Sequence, residues 1–179
     1  MVACAFLPFG ADVDKSNTYV RFLLVVIIIL VSGEAAAGLH GWQKGERAGR
    51  LVERFCHPEP QLELGLALSG LASSCIDVSD GLLADLGHLL EESGGLGAVV
   101  ELACLPQSAV LTAAGDAAQV RHWQLAGGDD YLLLFTLPQN SEVPAAASVI
   151  GRIQKEGGIR VLDADGLPVP AQASGWQHF

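Results

Sequence analysis

A single apolar run, Phe22-Leu-Leu-Val-Val-Ile-Ile-Ile-Leu-Val31, constrains this chain more than any other feature. Its ten residues are about half of what a membrane-spanning helix needs. Arg21 ahead of the run and Ala35-Ala36-Ala37 behind it imitate a secretory signal with its cleavage site. Against that, Asp12 and Asp14 lie in the preceding twenty residues, a stretch long for the head of a signal. Six of the ten residues are β-branched, and a branched Cβ suits a pleated surface better than a helix. A strand buried on both faces is therefore the preferred reading, with export and a membrane anchor as the alternatives.

Downstream, helical and extended patterns alternate. Ala35 to Leu39 reads as the start of a small-residue helix, and Glu46 to Phe55 as an amphipathic one with Ala48, Leu51, Val52 and Phe55 on one face. His57-Pro-Glu-Pro60 stops it. Gln61 to Leu68 resumes as a helix with Leu62, Leu66 and Ala67 on its apolar side. Ser73 to Val78 is a short strand, followed by the helix Leu82 to Glu92. Its stripe of Leu82, Leu83, Leu86, Leu89 and Leu90 lies opposite Asp85, His88 and Glu92. Strands are expected at 96–102, 131–137, 149–154 and 159–162, with a helical stretch from Ser108 and a turn at Asp163-Ala-Asp-Gly166. The segment 1–19 shows no sustained period. This is a mixed α and β pattern in one unit.

The chain has 179 residues, half of them hydrophobic and 17% charged, which suits one domain and excludes a disordered chain. Twenty acidic residues against ten basic ones give a net charge of −10. Such a surface repels phosphate backbones, so a nucleic-acid partner is not expected. Clustered carboxylates can still hold divalent cations that bridge to a phosphate. Cys4, Cys56, Cys75 and Cys104 form no Cys-x-x-Cys pair, and reduced thiols in a cytoplasmic protein are the expectation.

Two segments carry residues suited to chemistry. In Asp77-Val-Ser-Asp-Gly81, two carboxylates and a hydroxyl sit at a strand-to-helix junction. They suit Mg²⁺ coordination, while free N–H groups of the helix start suit phosphate oxygens. The same residues also suit an ordinary helix N-cap. In Gly127-Gly-Asp-Asp-Tyr131, the glycines permit close approach of a ligand, and the paired acids suit a cation or a positively charged ring. A plain turn with solvated acids is the alternative there. The chain contains neither a G-x-x-x-x-G-K-[ST] loop nor a Gly-x-Ser-x-Gly elbow, and its five histidines are unassigned.

Taken as an ordered series, these segments resemble thiamine-monophosphate kinase. The series comprises Val31-Ser-Gly33, Ala35-Ala-Ala-Gly-Leu39, Glu46-Arg47, Leu51-Val-Glu-Arg-Phe55 and Pro58-Glu-Pro60. It continues with Ser74-Cys-Ile-Asp-Val-Ser-Asp-Gly-Leu-Leu-Ala-Asp-Leu86, Gly127-Gly-Asp-Asp-Tyr131, Ile150-Gly-Arg-Ile153 and Gly175-Trp-Gln-His-Phe179. The resemblance covers residues 31–179 and implies the C-terminal domain of that enzyme. That domain is an α+β fold, a mixed β-sheet covered by helices, shared with aminoimidazole-ribonucleotide synthetase. Residues 1–30 are then an atypical N-terminal segment ending in the buried strand.

The family phosphorylates thiamine monophosphate with ATP and Mg²⁺. By resemblance, Asp77 and Asp80 match magnesium-binding aspartates, Ser79 an ATP-contacting serine, Asp129 a substrate-contacting acid that is usually Glu, and Trp176 an aromatic that packs on the thiamine moiety. Departures are equally specific. The loop between Gly33 and Ala35 is shortened to Glu34, and Leu132 replaces a usual Glu. No residue before Val31 reproduces the metal-binding motifs of the family's N-terminal domain. The resemblance therefore implies a truncated homologue with little or no kinase activity alone, with a non-catalytic binding module or a gene fragment as the alternatives. Its partners would be thiamine monophosphate and ATP, without nucleic acid or membrane.

Overall fold

The computed structural model describes residues 24–29, 31–138 and 141–170. Seven strands form one mixed sheet: β1 (Leu24–Ile29), β2 (Ser74–Val78), β3 (Gly97–Glu101), β4 (Leu132–Pro138), β5 (Ala147–Gln154), β6 (Gly158–Leu162) and β7 (Pro168–Val169). Their order across the sheet is β2-β4-β1-β5-β3-β6-β7, and among the described residues only the β3–β6 pair is parallel. Among the described residues, six α-helices accompany them: α1 (Glu34–Gln43), α2 (Arg50–Cys56), α3 (Leu62–Leu68), α4 (Leu82–Glu92), α5 (Ala109–Ala114) and α6 (Ala117–Ala126). This is the expected mixed sheet with helices packed on it.

The β-branched run does form a strand. β1 is bonded on both edges, to β4 and to β5, so it lies inside the sheet. Phe22, Leu23 and Leu30 lie outside the described residues, as do the side chains of β1 and the whole of 1–23 and 171–179. Among the described residues, no helix is long and apolar enough to cross a membrane.

Alternation along β4 divides the core. Leu132 and Leu134 face one side, where they meet Leu82, Leu83, Leu86 and Leu90 of α4, together with Val78, Val100 and Ile150. Phe135 and Leu137 face the other side, where Leu64 and Leu68 of α3 cover them. The period of two along a strand makes this division unavoidable, since successive side chains point to opposite faces. A third patch packs α1, α5 and α6 through Ala37, Leu111, Val120 and Trp123.

Several local expectations are corrected. The helix expected from Glu46 starts at Arg50, because Gly45 and Gly49 take left-handed backbones (φ +97° and +114°) and leave Ala48 outside it. The helical stretch from Ser108 is two helices. Ser108 caps α5 by accepting from the Leu111 N–H, and Asp116 caps α6 by accepting from the Gln119 N–H. α3 turns the opposite face inward: Leu62 and Leu66 are 73% and 78% exposed, whereas Leu68 is 4% exposed. Leucines at 62, 64, 66 and 68 form two equivalent i, i+4 pairs, and only tertiary packing chooses between them. Leu68→Ala is accordingly expected to cost about 3 kcal/mol and Leu66→Ala less than about 0.5 kcal/mol, checked by urea denaturation of each variant.

Candidate functional site

Two antiparallel pairings bring three loops to one end of the sheet. β2 runs against β4 with Val78 opposite Leu132, so the residues after β2 meet the residues before β4. β1 also runs against β4, with Ile28 opposite Leu134, so the segment entering α1 arrives at the same end. The chain segments 31–35, 77–81 and 127–131 therefore converge. Two backbone bonds fasten the last two: Asp129 N–H donates to the Ser79 carbonyl at 2.9 Å, and Tyr131 N–H to the Val78 carbonyl at 2.8 Å.

Two buried aspartates hold the loops 77–81 and 31–35. Asp85, on the first turns of α4, is 2% exposed. Its Oδ2 accepts from the N–H groups of Ser79 (2.9 Å), Asp80 (3.0 Å) and Gly81 (3.2 Å). This overturns one expectation: Asp85 does not lie on the solvent face of α4, and its carboxylate instead takes the three N–H groups of the loop that leads into the helix. Nor do Ser79 or Asp80 cap the helix. The N-cap residue is Gly81, without a side-chain cap bond. Gly81 has φ +115°, and a Cβ there would lie 2.9 Å from the Ala126 carbonyl at the end of α6, so only glycine fits. Burial pushes the Asp85 carboxyl up, against the pull of the three N–H donors, and the charge of Asp80 adds to the rise.

Asp130 plays the equivalent part for α1. It is 1% exposed, and its Oδ2 accepts from the Gly33 N–H and the Ser32 hydroxyl while Oδ1 accepts from the Ala35 N–H at 3.0 Å. Burial pushes its carboxyl up to about 6, although those donors and the Arg54 charge pull the other way. The adjacent acids Asp129 and Asp130 are thus not a pair facing a ligand. Asp130 is a structural clamp, and Asp129 alone faces outward, half-buried. Glu34, the residue left in the shortened loop, is also turned away. Its Oε1 accepts from the Ser108 hydroxyl at 2.6 Å and lies 3.8 Å from Arg50 Nη2.

What remains at the rim are Asp77, Ser79 and Asp80, all half-buried, with Asp129 and the 40% exposed Tyr131. The Tyr131 hydroxyl donates to Asp129 Oδ1 at 3.5 Å. Partial burial, then the negative charges of Asp129, Asp77 and Asp80, push the Tyr131 phenol up, so all three carboxylates act on one aromatic ring. Trp176 lies outside the described residues. Among the described residues, no group of three or more His, Cys, Asp or Glu side chains is arranged to hold a metal ion. The acids fit a cation that arrives with its own ligands: Mg²⁺ keeps several waters and uses one or two carboxylates alongside substrate phosphates. Sequence reasoning missed Asp85, Asp130 and Tyr131. Asp85 had a readable signal, since it lies three residues after Leu82 and four before Leu89, at the edge of the buried stripe.

No protein-family model matches the chain. The thiamine-monophosphate kinase of Escherichia coli (strain K12) is 35% identical to it, over 97% of this chain and 57% of the relative. The crystal structure of thiamine-monophosphate kinase from Stenotrophomonas maltophilia K279a superposes with a TM-score of 0.72 at 33% identity, over 82% of this chain and 51% of that one. The structure of AaThiL complexed with AMPPCP and TMP gives a TM-score of 0.76 at 28% identity, over 89% of this chain and 52% of that one. The chain spans about half the length of the relatives it matches. It is a partial homologue of thiamine-monophosphate kinase, aligned with that enzyme over most of its own length.

Proposed function

We propose that residues 31–179 correspond to the C-terminal domain of a cytoplasmic thiamine-monophosphate kinase and carry its acidic substrate face. The observation that carries this reading is the meeting of segments 77–81 and 127–131 at one end of the sheet, with three carboxylates acting on Tyr131. The likeness to relatives of that name, and to AaThiL complexed with AMPPCP and TMP, supports it.

In this reading Asp77 and Asp80 would hold Mg²⁺, which when bound supplies neutralising charge to the phosphate oxygens of ATP. Ser79 offers a hydroxyl to the nucleotide from the same loop. Asp129 provides a negative partner for the thiazolium of thiamine monophosphate, and Trp176 an aromatic surface for its rings. Asp85 and Asp130 are buried and fix the backbone from which the rim residues project. The rim thus binds and orients.

Phosphoryl transfer depends on charge neutralisation, and two aspartates on one loop supply a small share of it. The 179-residue chain alone is therefore expected to bind its ligands while turning them over at trace rates. The purified chain, incubated with ATP, Mg²⁺ and thiamine monophosphate, should yield only traces of thiamine diphosphate by chromatography. Turnover at ordinary enzymatic rates, on the order of 1 per second or more, would contradict this. A non-catalytic binding module shares the same rim and differs by showing no turnover at all.

A further inference from the structure

Among the described residues, two non-glycine residues have left-handed backbones, Asp129 at φ +63° and Tyr131 at φ +51°. Aspartate tolerates this region because its short polar side chain finds local partners; a bulky aromatic does not. Nothing lets the loop relax. The N–H groups of Asp129 and Tyr131 are bonded to the strand end at Ser79 and Val78, and Asp130 between them is buried and clamped. A turn that served architecture alone would be better made with Gly or Asn at this position. Strain held in place this way marks a side chain whose position matters.

What the strained backbone achieves is placement of the ring. Tyr131 stands 40% exposed at the rim, with its hydroxyl on Asp129 Oδ1 at 3.5 Å. Burial and the charges of Asp129, Asp77 and Asp80 act on the phenol together and push it up. An electron-rich ring face among carboxylates attracts a cation, and a flat cationic heteroaromatic ring gains both stacking and charge there. Resting on the function proposed above, we infer that Tyr131 is a specificity-determining residue that receives the cationic ring of the substrate, with Asp129 as the counter-charge. The ring gives the contact and the hydroxyl orients Asp129. The nucleotide, which carries no such cation, gains nothing from Tyr131.

The test is calorimetric titration of the 179-residue chain and its variants with thiamine monophosphate and, separately, with Mg²⁺-AMPPCP. Tyr131→Phe keeps the ring and should bind thiamine monophosphate within about threefold of wild type. Tyr131→Asn should bind it about tenfold more weakly while its nucleotide affinity stays within about twofold. Its melting temperature should equal or exceed that of wild type, because asparagine accepts a left-handed backbone; Tyr131→Gly serves the same purpose if the Asn variant fails to fold. Wild-type affinity for thiamine monophosphate in Tyr131→Asn overturns this assignment alone. A wild-type chain that binds no thiamine monophosphate overturns the underlying function and this assignment with it.

Discussion

Asp130→Ala is expected to destabilise the protein by about 3 kcal/mol at pH 5, because it leaves the buried N–H groups of Gly33 and Ala35 without their acceptor. The deficit should shrink as pH rises. Folding raises the Asp130 pKa from 3.8 to about 6, so the folded state holds its proton more tightly than the unfolded chain. The stability associated with that proton is fully present below pH 3.8 and is lost as pH rises through about 6. The variant has no such group, so its stability curve should be flatter over the same interval. Urea denaturation of both proteins at several values between pH 4 and pH 7.5 checks the sign and the window. A deficit that widened with pH would mean that Asp130 is buried as a stabilised anion.

Gly81→Ala should be comparably damaging, at about 3 kcal/mol. A methyl group at φ +115° strains the backbone, and its Cβ would lie 2.9 Å from the carbonyl carbon and oxygen of Ala126, which are main-chain atoms that cannot rotate away. The damage falls on the rim, because the Gly81 N–H is one of the three bonds by which Asp85 holds Ser79 and Asp80. Gly87 supplies the contrast within the same helix. A Cβ at Gly87 meets nothing within 4 Å, so Gly87→Ala should stabilise by about 0.5–1 kcal/mol. Thermal melts of the two variants side by side separate a glycine required by packing from one that merely interrupts a helix. Equal melting temperatures would remove Gly81 from the account of the loop.

Local pattern was a sound guide wherever one face decided the outcome. The leucines of α4 are all 6% exposed or less, as a single stripe requires, and the β-branched run lies in the sheet. It failed where two arrangements were equally good, as in α3, or where backbone geometry rather than side-chain period set where an element starts, as at Gly49. The candidate acids Asp77, Asp80 and Asp129 were visible as acidic clusters beside glycine. Their convergence was not, because it depends on β2 and β1 both pairing antiparallel with β4, a long-range choice that no local window contains. The buried acids were hidden for a related reason. Asp85 and Asp130 look like any solvated aspartate until the loops that need their oxygens fold around them.

The central claim is that the 77–81 and 127–131 segments form one cation- and substrate-binding face. Replacing Mg²⁺ with paramagnetic Mn²⁺ and recording amide NMR spectra of the ¹⁵N-labelled chain in the presence of thiamine monophosphate tests it most directly. The amides of Asp77 to Asp80 and of Asp129 to Tyr131 should broaden together, while those of β6 and β7, at the opposite edge of the sheet from β2, stay sharp. Broadening centred elsewhere, or confined to one of the two segments, would contradict it.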